Sequence, residues 1–130
     1  MNSVVHFEIP ASDPDKLSDF YTQLFGWHID KMDMGGGYIY YMASTTETTP
    51  EGMPKNPGAI NVGIYARTSE SDRPMNYVDV PDIDAFIAKA QGLGSKVLTP
   101  KMPIHGMGWY AQLEDPQGNA YGLYQNDPSA

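Results

Sequence analysis

The chain has 130 residues, 41% hydrophobic and 12% aromatic, and its 16 Asp and Glu against 8 Lys and Arg give a formal net charge of −8. Such a length suits one domain, residues 1–130, with a core of its own, and the acidic balance argues against a nucleic-acid or anionic-membrane surface, both of which need clustered basic residues. The absence of cysteine excludes disulfides, zinc–thiolate sites and thiol nucleophiles. No run approaches the ~20 apolar residues of a membrane span, and the start lacks a signal-peptide pattern, so a cytoplasmic location is expected.

Val4–Ile9 alternates in polarity and is predicted as a strand, with His6 and Glu8 on one face and Phe7 and Ile9 on the other. A helix follows: Asp13 suits its N-cap and Pro14 its first turn. Leu17, Phe20, Tyr21, Leu24 and Phe25 recur at helical spacing, and Gly26 suits the left-handed residue after the end. "WHIDKMD", "GYIYYMAS" and "AINVGIYAR" are predicted strands, the first two joined by a hairpin at Gly35-Gly36-Gly37. Thr45–Pro57, rich in Thr and Pro, reads as a surface loop.

The second half repeats this order. "MNYVDV" is a predicted strand, Asp82 caps a helix carrying Ile83, Phe86, Ile87, Ala90 and Leu93, and "SKVLTPKMPI", "GWYAQLED" and "NAYGLYQ" are three further strands. Asp115-Pro116-Gln117-Gly118 makes the last turn. The two capping aspartates lie 69 residues apart. The expected fold is therefore α+β: two tandem βαβββ modules, about 1–67 and about 74–127, forming paired curved mixed sheets. The helices cover the outer faces, and Val4, His6 and Glu8 with Met75, Tyr77 and Asp79 line a concave cavity.

Four stretches, "VVHFEIPASDPDKLSDFYTQLFGW", "YVDVPDIDAFIAKAQGLGSKV", "GWYAQLEDPQGN" and "YGLYQ", resemble the vicinal-oxygen-chelate superfamily of glyoxalase I, bleomycin-resistance proteins and extradiol dioxygenases. Small glyoxalase-related proteins are the nearest in kind. The resemblance implies paired βαβββ modules, often as a homodimer. In its enzymes one divalent metal (Zn, Ni, Mn or Fe) is held from the first and last strands of each module, and it stabilises negative charge developing on a chelated substrate. Residue by residue, the first ligand position falls on His6, 14 residues before Phe20. The others fall on Gly63, Met75 and Gly122, two without side chains and one a thioether suited to soft ions. No cofactor is therefore the expectation, with a divalent metal displaced onto His6 and Glu8 as the alternative.

His6 and Glu8 are the candidate catalytic or ligand-orienting pair. A structural bond from Glu8 to a Tyr or His on a neighbouring strand is the plainer role for that carboxylate. Tyr38, Tyr40, Tyr41, Tyr65, Tyr77, Trp109, Tyr110, Tyr121 and Tyr124 all fall on predicted strands and provide apolar walls with hydroxyl handles. Tyr65, Met75, Tyr77, Asp79, His105, Trp109 and Tyr124 are the candidate ligand-binding residues, and the missing side chains at Gly63 and Gly122 leave extra volume beside them. Three functions compete. A metal-free protein that binds a small aromatic or conjugated ligand in a tyrosine-lined groove is favoured. The alternatives are a metal-dependent glyoxalase-related lyase or dioxygenase, and a metal-free enzyme with His6 or Glu8 as general base.

Overall fold

The computed structural model describes residues 1–130. Its elements run β1 (Val4–Ala11), α1 (Pro14–Phe25), β2 (His28–Asp33), β3 (Ile39–Ser44), β4 (Asn61–Ala66), β5 (Met75–Asp79), α2 (Ile83–Gly92), β6 (Lys96–Ile104), β7 (Gly108–Glu114) and β8 (Ala120–Asn126). This is the α+β, twice-repeated βαβββ order expected from the periodicities. Neither helix is long and apolar enough to cross a membrane.

Local chemistry sets the helix ends. Asp13 accepts from the Lys16 backbone N–H at 3.1 Å and Asp82 from that of Ala85 at 3.0 Å, each satisfying a donor the first turn leaves open. Gly26 stops α1 with φ 72°, a left-handed conformation that glycine adopts without a Cβ penalty.

The chain divides into two compact units. One is His6–Pro74, where the strand order is β2-β3-β4-β1, with β1 and β4 parallel and the rest antiparallel. Ala11, Tyr41, Ala43, Val62 and Ile64 form its core, packed by Phe7, Ile9, Leu17, Tyr21 and Trp27, so α1 covers the odd-numbered side of β1. The other unit is Met75–Ala130 together with Met1–Val5, with strand order β5-β8-β7-β6 and only the β5–β8 pair parallel. Its core is Val80, Ile83, Ala111, Leu113 and Leu123 beneath Phe86, Ile87 and Ala90 of α2. The first five residues thus leave the module that the repeat assigns them to. The Asp79 N–H donates to the Ser3 carbonyl at 2.9 Å and the Asn2 amide to the Asp79 carbonyl at 3.1 Å.

Burying a residue such as Ile64 or Leu113 completely contributes roughly 1.5–3 kcal/mol. Both sets of core residues alternate along their strands, which commits the remaining face of each sheet to the polar and aromatic side chains. Between β3 and β4, the expected loop is tied down by a Thr48–Pro54 bridge and by a bond from the Lys55 N–H to the Glu47 carbonyl.

Candidate functional site

In the first unit the face away from α1 carries His6 and Glu8 of β1, Asn61, Gly63 and Tyr65 of β4, and Tyr40 and Met42 of β3. Glu8 pairs with Gly63, and Gly63 with Met42. Because β4 has no side chain at 63, Tyr40 lies across that strand and reaches β1. A Cβ added at Gly63 would fall within the Tyr40 hydroxyl and the adjoining ring atoms. At the end of this crossing the Tyr40 hydroxyl donates to Glu8 Oε2 at 2.7 Å and lies 2.7 Å from His6 Nε2. With its proton committed to the carboxylate, the phenol oxygen accepts from Nε2–H, which assigns the neutral His6 its tautomer.

Electrostatics agree with that assignment. His6 is half-buried, and burial pushes its imidazole down to about 4, so the ring is neutral near physiological pH. Tyr65, half-buried on the same face, has its phenol raised by burial and then by the nearby negative charges of Asp72 and Glu8. Two open hollows also mark this unit. One of about 400 Å³ lies beside Asp13, Lys16, Phe20 and Arg67, and one of about 280 Å³ beside Gly26, His28, Thr46 and Glu47. Neither includes the polar trio. Both are shallow and exposed, whereas the trio concentrates a carboxylate, an imidazole and a phenol around one oxygen.

The second unit makes a similar crossing from the opposite side. Tyr77 of β5 pairs with Gly122 of β8, and its buried ring takes the space a Cβ at 122 would need. Beyond that glycine, the Gln112 amide of β7 donates to the Tyr77 hydroxyl at 2.8 Å, while Thr99 donates to the Gln112 carbonyl oxygen at 2.8 Å. The extra volume expected over Gly63 and Gly122 is therefore filled by Tyr40 and Tyr77.

Of the other candidates, Met75 is buried near Tyr77 in sequence, and Tyr124 is half-buried with its hydroxyl donating to the Met107 carbonyl at 3.1 Å. Burial and then the Asp79 charge raise its phenol. Asp79 is exposed and His105 sits exposed in the turn between β6 and β7. Trp109 does not share the face of Tyr77. It packs against the α2 core, its indole N–H donates to Asp127 at 3.0 Å, and Lys101 stands 4.7 Å from the ring centre. Tyr40, named in the sequence only among the strand tyrosines, and Gln112, not named at all, are the polar residues missing from the candidate ligand-binding set.

The profile of the Glyoxalase/Bleomycin resistance protein/Dioxygenase superfamily matches residues 3–123. This chain belongs to that superfamily. Among curated relatives, the Mycobacterium tuberculosis protein CFP32, a glyoxylase by provisional name, is 33% identical over 122 residues, 91% of this chain and 43% of the relative. The anthracycline biosynthesis protein DnrV of Streptomyces peucetius is 28% identical over 130 residues, 92% of this chain and 45% of the relative. This superfamily member thus spans under half the length of those relatives. A hypothetical protein of Bacillus halodurans, BH1468, shares the fold with a TM-score of 0.70 at 14% identity, covering 99% of this chain and 97% of that one. The methylmalonyl-CoA epimerase of M. tuberculosis does so with a TM-score of 0.68 at 15% identity, covering 96% and 88%.

For the divalent metal implied by superfamily membership, His6 is the one implied position with a nitrogen or oxygen donor. No three His, Cys, Asp or Glu side chains gather into a group that could hold an ion. His6 Nε2 and Glu8 Oε2 converge on one point, and that point is occupied by the Tyr40 hydroxyl.

Proposed function

We propose that this protein binds a small aromatic or conjugated ligand on the Tyr40-bearing face of its first unit, without the four-ligand metal centre implied by the superfamily. The observation that carries this reading is the pair of 2.7 Å contacts from the Tyr40 hydroxyl to His6 and Glu8. They engage the two side chains best suited to a metal in an organic hydrogen-bond chain instead. A hydrated divalent ion needs about four protein or water donors in place, and Gly63, Met75 and Gly122 do not supply the remainder.

Chemically, the face suits a flat ligand with one polar edge. Tyr65 and Met42 offer polarisable apolar area, Glu8 accepts a hydrogen bond, and neutral His6 both donates and accepts. The sequence relationship to an anthracycline biosynthesis protein supports a fused-ring ligand.

Two measurements on one preparation test this. Elemental analysis of protein purified without chelators is expected to find Zn, Ni, Mn and Fe well below one ion per chain. Titration with quinizarin, a hydroxylated fused-ring quinone, is expected to saturate at one site per chain and to weaken at least tenfold in Glu8→Gln. Near-stoichiometric metal would favour the metal-dependent lyase or dioxygenase. Turnover of a bound ligand whose pH–rate profile changes in His6→Ala would favour the metal-free general-base enzyme.

A further inference from the structure

Three observations about one side chain, Tyr40, lead beyond the binding reading, on which this inference rests. The Tyr40 oxygen accepts from His6 Nε2 and donates to Glu8 Oε2, both at 2.7 Å. The phenol end of the ring fills the space left by the missing side chain at buried Gly63. The residue itself is half-buried, on a strand whose next tyrosine, Tyr41, is buried in the core beneath the opposite face. Together these describe a cradle with a donor, an acceptor and a glycine floor, and the group occupying it is a hydroxylated aromatic ring.

We propose that Tyr40 is an internal stand-in for the ligand: an incoming phenolic or enolic hydroxyl displaces the Tyr40 phenol, donates to Glu8, accepts from His6 and places its own ring over Gly63. The chemistry that recognises the ligand is the chemistry that holds Tyr40. A hydroxyl that can both give and take a proton satisfies both partners. An ether or ketone satisfies only His6 and does not replace the hydrogen bond that Tyr40 donates to Glu8, a loss that is costly at a half-buried position. The ligand class is therefore hydroxylated arenes and stabilised enols, and the affinity measured is reduced by the fraction of molecules in which Tyr40 holds its place.

Displacement and direct contact by Tyr40 predict opposite signs. Tyr40→Phe keeps the ring but removes the competing hydroxyl, so it is expected to bind quinizarin about tenfold more tightly than the natural protein. The dimethyl ether of quinizarin is expected to gain nothing from the change. Weaker or unchanged quinizarin binding by Tyr40→Phe would overturn the displacement. Failure of both proteins to bind quinizarin would remove the binding reading as well. A second variant addresses the cradle without any fused-ring ligand. Tyr40→Ala, checked as folded by circular dichroism, is expected to rise in melting temperature with millimolar p-cresol and not with toluene. Equal responses to the two compounds would show that His6 and Glu8 do not select a hydroxyl.

Discussion

The phenol end of Tyr40 stands where a side chain at Gly63 would begin, so the two residues define each other. Tyr40 reaches from β3 to β1 only because β4 is bare at that point, and a larger residue at 63 would close the crossing. Tyr77 and Gly122 repeat the arrangement in the second unit, but there the tyrosine starts on the first strand of its module and the partner amide lies on the third. The same vacancy has been filled in each half by a different strand; the Tyr40 hydroxyl donates to a carboxylate and the Tyr77 hydroxyl accepts from an amide.

Substitution at the crossing is expected to show strong coupling. Gly63→Ala forces the Tyr40 ring to move and should cost about 1–3 kcal/mol, the usual range for overpacking. In a Tyr40→Ala background, the same change should cost well under half as much. Urea denaturation of the two single variants and the double variant measures the interaction directly. Additive costs would contradict the crossing.

His6 makes stability depend on pH in a defined window. Its imidazole is lowered from 6.5 to about 4 by burial, so the folded state resists the proton that the unfolded chain accepts. Stability is fully present above about pH 6.5 and falls as the pH drops toward 4, with a ceiling of about 3 kcal/mol at ~1.4 kcal/mol per unit. Between about pH 7 and about 5.5, still above the isoelectric point near 4.5, the natural protein should lose about 1 kcal/mol more than His6→Gln. Parallel denaturation curves at the two pH values, or an imidazole titration by NMR, would check this. An unperturbed imidazole would rule it out.

The helices supply simpler tests. Ser18 is buried on α1 and its hydroxyl has no hydrogen-bond partner. Removing a buried hydroxyl that bonds to nothing relieves its desolvation cost and improves helix propensity, so Ser18→Ala is expected to stabilise the protein by about 0.5–1 kcal/mol. A lower melting temperature would indicate that the Oγ has a partner in solution.

At α2, the Asp82 carboxylate caps the Ala85 N–H and the Gln125 side chain accepts from the Ile83 N–H at 2.9 Å. Asp82→Ala should therefore cost about 1 kcal/mol. Gln125→Leu leaves the Ile83 donor unsatisfied in a part-buried setting, which costs about 1–3 kcal/mol. Hydrogen exchange at the two amides would separate the effects, each loss being local to its own N–H.

The strands, both helices and their caps could be read from the chain because each depends on neighbouring residues: Asp13 before Pro14, Gly26 after Phe25, and alternation along Val4–Ile9. The pairing of His6 with Glu8 followed from the same local parity. Tyr40 could not be assigned this way. Parity separates it from Tyr41, but which of the two meets Glu8 depends on β4 lying between β3 and β1, a matter of strand order. The vacancy at Gly63 was visible as missing volume, yet what fills it comes from a neighbouring strand. Trp109 illustrates the same limit. It is one residue from Tyr110, and only the register with Gln125 and Tyr124 tells which ring faces α2.

The opening residues have a bearing on the order of assembly. Residues 6–74 of the first unit are contiguous in the chain, whereas Asn2 and Ser3 find their partner at Asp79. Translation makes every residue of the first unit before it reaches Asp79. Asn2 and Ser3 are therefore made before the contiguous unit that follows them, and their partner at Asp79 only after it, so they dock after that unit is complete.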